Sequence, residues 1–468
     1  MSRRLAAWLI GVALAGKLLL LGLLMARGPE TVLYVDSETY LGPARALLET
    51  GAYAPDPERP DRPELIRTPG YPVLLALVFR FLGERLWIVS ALGALFSAAT
   101  ALALLVLYAK PFGERAAAWG AVLVSFEPGS FCRSLDILSE TFFTLLLVLG
   151  LGALVALLVG PAPRAGRAFL GGLALAAATL VRPILAPLLP VLAFLLLVVS
   201  AKRRWAPGRG AAVLAAFLLA PVLLVGGWMA RNERVAGAFS LVPVTGHQLL
   251  HRRAAAVLAL VENVPLAEVQ ERLGIREAFF RFRGPGSETD LFGPRRYGDV
   301  FRETAHLDLF ELDRRWTDEA LRIFREHPAA TAAVTGRGAL QLLFTPPSLI
   351  LSTHYGLVRP DAEVRRLYAN QDLSALAGLL RSREPVFFAV SVLLVASLVI
   401  LAACAVAGAV GSWRLGPRPV HAVLLVSLLW LIGASSSTDA MDDRYRVPLM
   451  PLVCLYAAAA VRPPSPVG

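Results

Sequence analysis

The sequence predicts an all-α polytopic membrane protein, a bundle of about ten transmembrane helices with a mixed or helical polar domain on one side. Three observations predict it. Of 468 residues, 56% are hydrophobic and 17% charged, and mean hydropathy is +0.61, more apolar residue than a soluble protein of this length needs. Apolar runs of roughly 17–25 residues recur along the chain. Between two groups of such runs, the block 231–383 is polar enough to form a domain of its own.

Span one runs from Leu5 to Ala26 after Arg3 and Arg4, and is expected to stay as an uncleaved first helix, because no small-x-small cleavage site follows it. Lys17 lies inside it and is expected to snorkel to the interface; the alternative is that it faces protein or water. A polar loop follows, with an amphipathic helix over Ser37 to Glu49, a glycine stop at Gly51 and a proline-rich crossing to Arg67. Tyr71 to Leu82 is too short to span and is read as interfacial. Spans two to seven are Leu86–Ala109, Ala116–Phe131, Phe142–Val159, Phe169–Leu180, Leu185–Ser200 and Ala211–Ala230.

The polar block contains an amphipathic helix with Trp316, Ala320, Ile323 and Phe324 on one face. Ala329 to Leu351 holds Arg337 and is broken by Pro346-Pro347, so it is read as interfacial. Val386–Val410, Val420–Ala434 and Val447–Val461 complete the spans. With the N-terminus inside, the inner loops hold Arg3/Arg4, Lys110/Arg115, Arg164/Arg167, Lys202/Arg203/Arg204 and Arg414/Arg418, with Glu114 as their only acid. The short outer loops hold Asp136, Glu140, Asp439, Asp442 and Asp443. The positive-inside rule is met at every turn, so both termini are expected in the cytoplasm. The net charge of +11 is then explained by orientation and anionic lipid rather than by nucleic acid. Cys132, Cys404 and Cys454 show no metal-ligand spacing, and no inverted repeat is evident.

Chemistry is expected on the outer face, where Asp36, Arg67, Glu140, Arg182 and Arg444 meet the membrane surface together with the polar domain. An enzyme there lacks cytosolic nucleotide sugars, so a donor must arrive on a lipid such as a polyprenyl phosphate. Displacement at an anomeric carbon needs a base for the acceptor hydroxyl and cations for the departing phosphate. Asp36 is the candidate base; the alternative is a helix N-cap. Arg67, in a rigid RTPGYP turn, is the candidate phosphate ligand or a headgroup contact. Arg182, Arg444 and Arg446 are further candidates, with pairing to Asp442 or Asp443 the alternative for Arg444. Glu140 can assist the base, hold a metal or simply favour a helix N-terminus, and Asp136 lies one turn before it. Tyr40, Tyr71 and Asp136 are candidates for positioning the acceptor. Six histidines are scattered, only His247 and His251 being at helical spacing, and no P-loop, GxGxxG before a strand or GxSxG occurs.

In order along the chain stand D-S-x-x-Y-x-x-x-A-R-x-L-x-x-x-G-x-Y from Asp36, RTPGYP from Arg67, Ser139-Glu140, Val181-Arg182-Pro183, R-N-x-x-x-x-G from Arg231 to Gly237, Glu326-His327-Pro328 and RYRVPLMP from Arg444 to Pro451. This pattern resembles the GT-C glycosyltransferases, in the bacterial branch similar to protein O-mannosyltransferases and the lipid A aminoarabinose transferase. The resemblance implies Asp36 as catalytic base, Glu140 as the second-loop acid, and Arg67 in the place of the basic residue near the donor phosphate. It implies an inverting single displacement from a polyprenyl-phosphate-linked sugar to a glycan, lipid or protein acceptor in the cytoplasmic (inner) membrane. No cofactor is required by it. A divalent metal stays open, since the acid pair often seen in the mannosyltransferases' first loop is Asp36-Ser37 here. The expected modules are 1–230, with a catalytic first outer loop over 27–85, then 231–383 outside the membrane, then 384–468. The rival classes are a transporter or flippase of lipid-linked sugars and a non-catalytic scaffold.

Overall fold

The computed structural model describes residues 1–34, 36–275, 308–347, 363, 367, 373–436 and 442–461, and among them every regular element is helical. Seven helices are long and apolar enough to cross a membrane: α1 (Arg3–Met25), α4 (Leu86–Leu107), α8 (Glu140–Leu158), Pro183–Lys202 containing α10 (Leu188–Lys202), Pro207–Ala236 containing α11 (Pro207–Ala220) and α12 (Gly226–Ala236), α19 (Pro385–Leu415) and α20 (Arg418–Ser435). Shorter apolar helices are α3 (Gly70–Leu82), α9 (Ala165–Val181) and α21 (Met450–Val461). The chain is a multi-pass membrane protein.

Helix α8 is the centre. It is the most buried of the seven, 67% of its apolar window lying inside the protein against 11% for α19. It packs on α4, α9 and α20, while α21 packs on α19 and on α6 (Glu114–Phe126). At 19 residues it is about 28 Å long, close to the hydrocarbon thickness. The first four amides and last four carbonyls of a helix need outside partners. At the C-terminal end of α8, Arg167 donates to the Ala156 carbonyl (2.6 Å), Arg203 to Leu158 (2.6 Å) and Lys110 to Val159 (3.0 Å). Cations are also what the negative end of the helix dipole favours. Its other end begins with Glu140. Small residues bring helices close elsewhere: a Cβ on Gly408 of α19 would lie 1.8 Å from the Tyr456 carbonyl of α21.

The third apolar run does not continue to Phe131. Helix α6 stops at Phe126, because Pro128 has no amide to donate and the Glu127 carboxylate turns back to take the Gly129 (3.1 Å) and Ser130 (2.6 Å) amides, starting the short α7 (Pro128–Arg133). Lys17 does not snorkel. It is 2% exposed, and its ammonium donates to Ser97 on α4 at 2.5 Å and lies 5.3 Å from the Phe131 ring. Facing protein is the cheaper choice for a mid-span charge when a hydroxyl and an aromatic face are at hand.

The polar block is helical where described. Helix α13 (Thr245–Gln248), a π-helical turn (Leu249–Ala254) and α14 (Ala255–Glu262) pack on α16 (Leu309–Glu326). The expected face of α16 is the buried one: Ala320 and Ile323, with Trp316 and Phe324 beside them, close a small core over Leu250, Ala254 and Val257. Asp308 caps α16 through the Glu311 amide (2.8 Å). The interfacial run forms α17 (Pro328–Phe344), packed on α20; residues 348–351 of that expectation, and Asp439, lie outside the described residues.

Two measurements check this packing. Ser97→Ala leaves a buried ammonium short of its acceptor and is expected to cost roughly 1–3 kcal/mol in the thermal unfolding of detergent-solubilised protein, while Lys17→Met, which removes charge and need together, costs less. The second concerns His251, which meets His247 at 3.2 Å (Nδ1 to Nδ1) and the Leu273 carbonyl at 3.0 Å; burial pushes its pKa from 6.5 down to about 4. The unfolded chain therefore binds this proton first, and stability is lost as pH falls through that window. Asp313, pushed up to about 6 by burial, works in the opposite sense. His251→Asn keeps the Asp313 contribution, so the drop in unfolding midpoint between about pH 7 and pH 5 is expected to be smaller in the variant than in wild type.

Candidate active site

At the Glu140 end of α8, four chain segments bring charges together. The first is the start of α2 (Glu38–Glu49). Its N-cap position falls on Ser37, not Asp36. The Ser37 hydroxyl accepts from the Tyr34 amide (2.8 Å) and donates to the Ile137 carbonyl (2.8 Å), tying the first loop to the second. Asp36 instead turns its carboxylate to two guanidinium groups: Arg444 donates to Oδ2 at 2.7 Å, and Arg67 lies 3.3 Å from Oδ1. The expected stop at Gly51 is present, with φ +73° just past the end of α2.

The second segment carries Arg67. Its guanidinium donates to Thr39 Oγ1 (2.9 Å) and to the Tyr40 hydroxyl (3.2 Å), and its centre lies 4.4 Å from the Tyr40 ring. Tyr71 meets Tyr40 edge to face at 5.3 Å. Gly70 allows α3 to start here: a Cβ on it would fall 2.7 Å from the Leu180 main chain, two residues before Arg182.

The third segment is the turn from α7 into α8. Glu140, 3% exposed, forms an ion pair with Arg182 from the end of α9, and the second Glu140 oxygen is buried with no hydrogen-bond partner among the described residues. Ser139 Oγ lies 3.2 Å from the Tyr40 hydroxyl. The fourth is the turn Asp443–Arg446 before α21. Arg444 donates to the Tyr445 hydroxyl (2.8 Å), lies 2.9 Å from the Asp442 carboxylate and 3.9 Å from Glu140. Burial opposes its charge, but Tyr445, Asp442, Asp36 and Glu140 outweigh burial and raise its pKa well above the usual guanidinium value.

Behind this cluster Arg133 holds three acids: Asp443 through two donors (2.6 and 3.0 Å), Asp136 (2.9 Å) and Asp442 at 3.5 Å. Tyr34 donates to Asp442 at 2.9 Å, and burial followed by that carboxylate pushes its phenol up.

The nine expected site residues thus fall into two groups. Asp36, Arg67, Tyr40, Tyr71, Glu140, Arg182 and Arg444 come together. Asp136 and Arg446 do not join them. Asp136 does not share a site with Glu140, because its carboxylate is fully buried against Arg133. Arg446 does not reach the guanidinium cluster: it donates to the Leu342, Leu343 and Thr345 carbonyls (3.3, 3.4 and 2.8 Å) and so caps the end of α17. Sequence reasoning missed Tyr34, Arg133 and Tyr445; their positions beside charged residues are signals only once the loops are known to meet. Among the described residues no three His, Cys, Asp or Glu side chains group as metal ligands. Arg67, Arg182 and Arg444 meet Asp36, Glu140 and Asp442 here, three guanidinium groups against three carboxylates, and guanidinium groups are the donors that suit a planar or tetrahedral oxyanion.

No family model and no curated protein matches the chain. Among solved structures, it is similar to ArnT from Cupriavidus metallidurans bound to undecaprenyl phosphate, at 15% identity and a TM-score of 0.41, over 98% of this chain and 78% of that one. It is also similar to the archaeal oligosaccharyltransferase AglB from Archaeoglobus fulgidus, in complex with an inhibitory peptide and a dolichol-phosphate, at 10% identity and a TM-score of 0.44; the match covers 95% of this chain and half of AglB.

Breaking one side of the buried Glu140–Arg182 pair leaves an uncompensated charge. Arg182→Ala is expected to destabilise the solubilised protein by about 3–5 kcal/mol, and Arg182→Ala combined with Glu140→Gln by clearly less, as read from unfolding midpoints of the single and double variants.

Proposed function

We propose that this chain is an integral membrane glycosyltransferase that moves a sugar from a polyprenyl-phosphate donor to an acceptor at the outer face of the cytoplasmic membrane. The observation that carries the reading is Asp36 clasped between Arg67 and Arg444, with Arg182 a third guanidinium one acid away, at the ends of apolar helices. Such a cluster suits a phosphate whose lipid tail stays in the bilayer.

The donor phosphate competes with Asp36 for the two arginines. As they turn to the phosphate, the carboxylate loses its ion partners and gains basicity. Asp36 then takes the proton of the acceptor hydroxyl. The acceptor oxygen bonds to the anomeric carbon as the bond to the phosphate oxygen breaks, and the electron pair leaves on that oxygen, beside the guanidinium groups. The anomeric centre inverts. The second Glu140 oxygen, buried with no partner among the described residues, is in this reading an acceptor for a substrate hydroxyl. Because the base is masked until the donor arrives, an acceptor alone, or water, meets a neutralised Asp36. A flippase would need charges along a path through the bundle, whereas Lys17 is engaged with Ser97. In this reading residues 1–230 and 384–468 form the membrane modules, 231–383 lies outside, and both termini are cytoplasmic.

The test is transfer of label from radiolabelled polyprenyl-phosphate sugars into an envelope extract by protein in lipid vesicles. Asp36→Asn is expected to lower the rate by about 10²–10⁴-fold with expression intact, and Arg67→Ala or Arg444→Ala to lower it as well. Transfer at the wild-type rate by Asp36→Asn would sink the assignment.

A further inference from the structure

Arg231, in the R-N-x-x-x-x-G run at the end of the seventh span, takes no part in the charge cluster, yet its bonds point toward it. Its guanidinium donates to the main-chain carbonyls of Glu64 (2.8 Å) and Tyr53 (3.3 Å). These two residues form the neck of the proline-rich crossing, since the Glu64 amide donates to the Tyr53 carbonyl at 2.9 Å. The same two residues hold the main chain of Arg67 with their side chains. The Tyr53 hydroxyl donates to the Arg67 carbonyl (3.0 Å), and the Glu64 carboxylate accepts the amides of Ile66 (2.6 Å) and Arg67 (2.8 Å). Arg231 is itself fixed. It lies 4.8 Å from the Trp228 ring and donates to Asn232 Oδ1 (2.9 Å), and Asn232 in turn donates to the Ser240 and Leu241 carbonyls (2.8 and 3.0 Å).

We infer that Arg231 is a positioning residue that straps the neck of the 53–67 crossing to α12 and thereby sets Arg67 for the donor phosphate, an inference that rests on the function proposed above. Each clasped carbonyl belongs to a residue whose side chain grips Arg67, so one guanidinium controls both grips. Pro55, Pro57, Pro60 and Pro63 stiffen the crossing, so that fixing its neck fixes its course. Its far side is seated on α2 at Gly42, where a Cβ would lie 2.2 Å from the Pro55 carbonyl.

The experiment uses the full chain in lipid nanodiscs, with amide hydrogen exchange over residues 52–67, binding of a polyprenyl phosphate without sugar, and donor-dependent transfer rates. Arg231→Ala is expected to speed exchange in that segment by at least about tenfold, to weaken polyprenyl-phosphate binding by about tenfold and to raise the donor KM by a similar factor, with kcat at saturating donor within about threefold. Arg231→Lys, which keeps one charged donor, is expected to recover part of the binding. Gly42→Ala pushes the crossing from its other side and is expected to loosen the same segment. Unchanged exchange and affinity in folded Arg231→Ala overturns the inference, as does a loss confined to kcat. A wild-type protein that binds no polyprenyl phosphate overturns the proposed function instead, and the strap is then decided by the exchange of residues 52–67 alone.

Discussion

A guanidinium buried inside a protein must be met by acceptors, and Arg133 is met by three carboxylates. Those acids come from its own turn and from the distant segment before α21, so a single side chain joins the middle of the sequence to its end. The joint has direction. Asp442, held by Arg133 and Tyr34, is placed beside Arg444, and Arg444 is thereby aimed at Asp36. Removing Arg133 would take from the buried Asp136 and Asp443 the guanidinium that both meet, a cost of several kcal/mol in a low-dielectric interior. The cluster around Asp36 is therefore the less buried edge of a larger ionic assembly whose fully buried half is held by Arg133.

Helix α8 transmits the same logic across the bilayer. Its N-terminal end bears Glu140, favoured there by the dipole, and its C-terminal carbonyls are taken by Lys110, Arg167 and Arg203 from three other segments. Helices α4 and α9 pack along its sides, so Arg182 at the end of α9 arrives at Glu140 by helix register alone. Site geometry here follows from helix lengths and end chemistry more than from the loops.

The amino-acid sequence made most of this architecture legible because lipid leaves few choices: apolar runs must be helices, and their basic flanks fall at one end. Asp36, Arg67, Glu140, Arg182 and Arg444, named from their expected place at outer helix ends and from the resemblance, are brought into one cluster. Lys17, Asp136 and Arg446 lie apart from the cluster because each is buried against a partner that local sequence does not single out: Ser97, Arg133 and the end of α17. The break at Glu127-Pro128 hid in a run whose average hydropathy stays high, and only the capping of Gly129 and Ser130 reveals it.

The basic residues at the far end of α8 have a second consequence. Positive charges next to spans are ordinarily treated as insertion signals, interchangeable by count. Lys110, Arg167 and Arg203 are not interchangeable, since each completes a particular carbonyl. A charge-swapping experiment designed to invert the protein would also fray the helix that carries Glu140 at its opposite tip. Changing the flanking charges of this span therefore also changes its packing, because the same side chains hold the last carbonyls of α8.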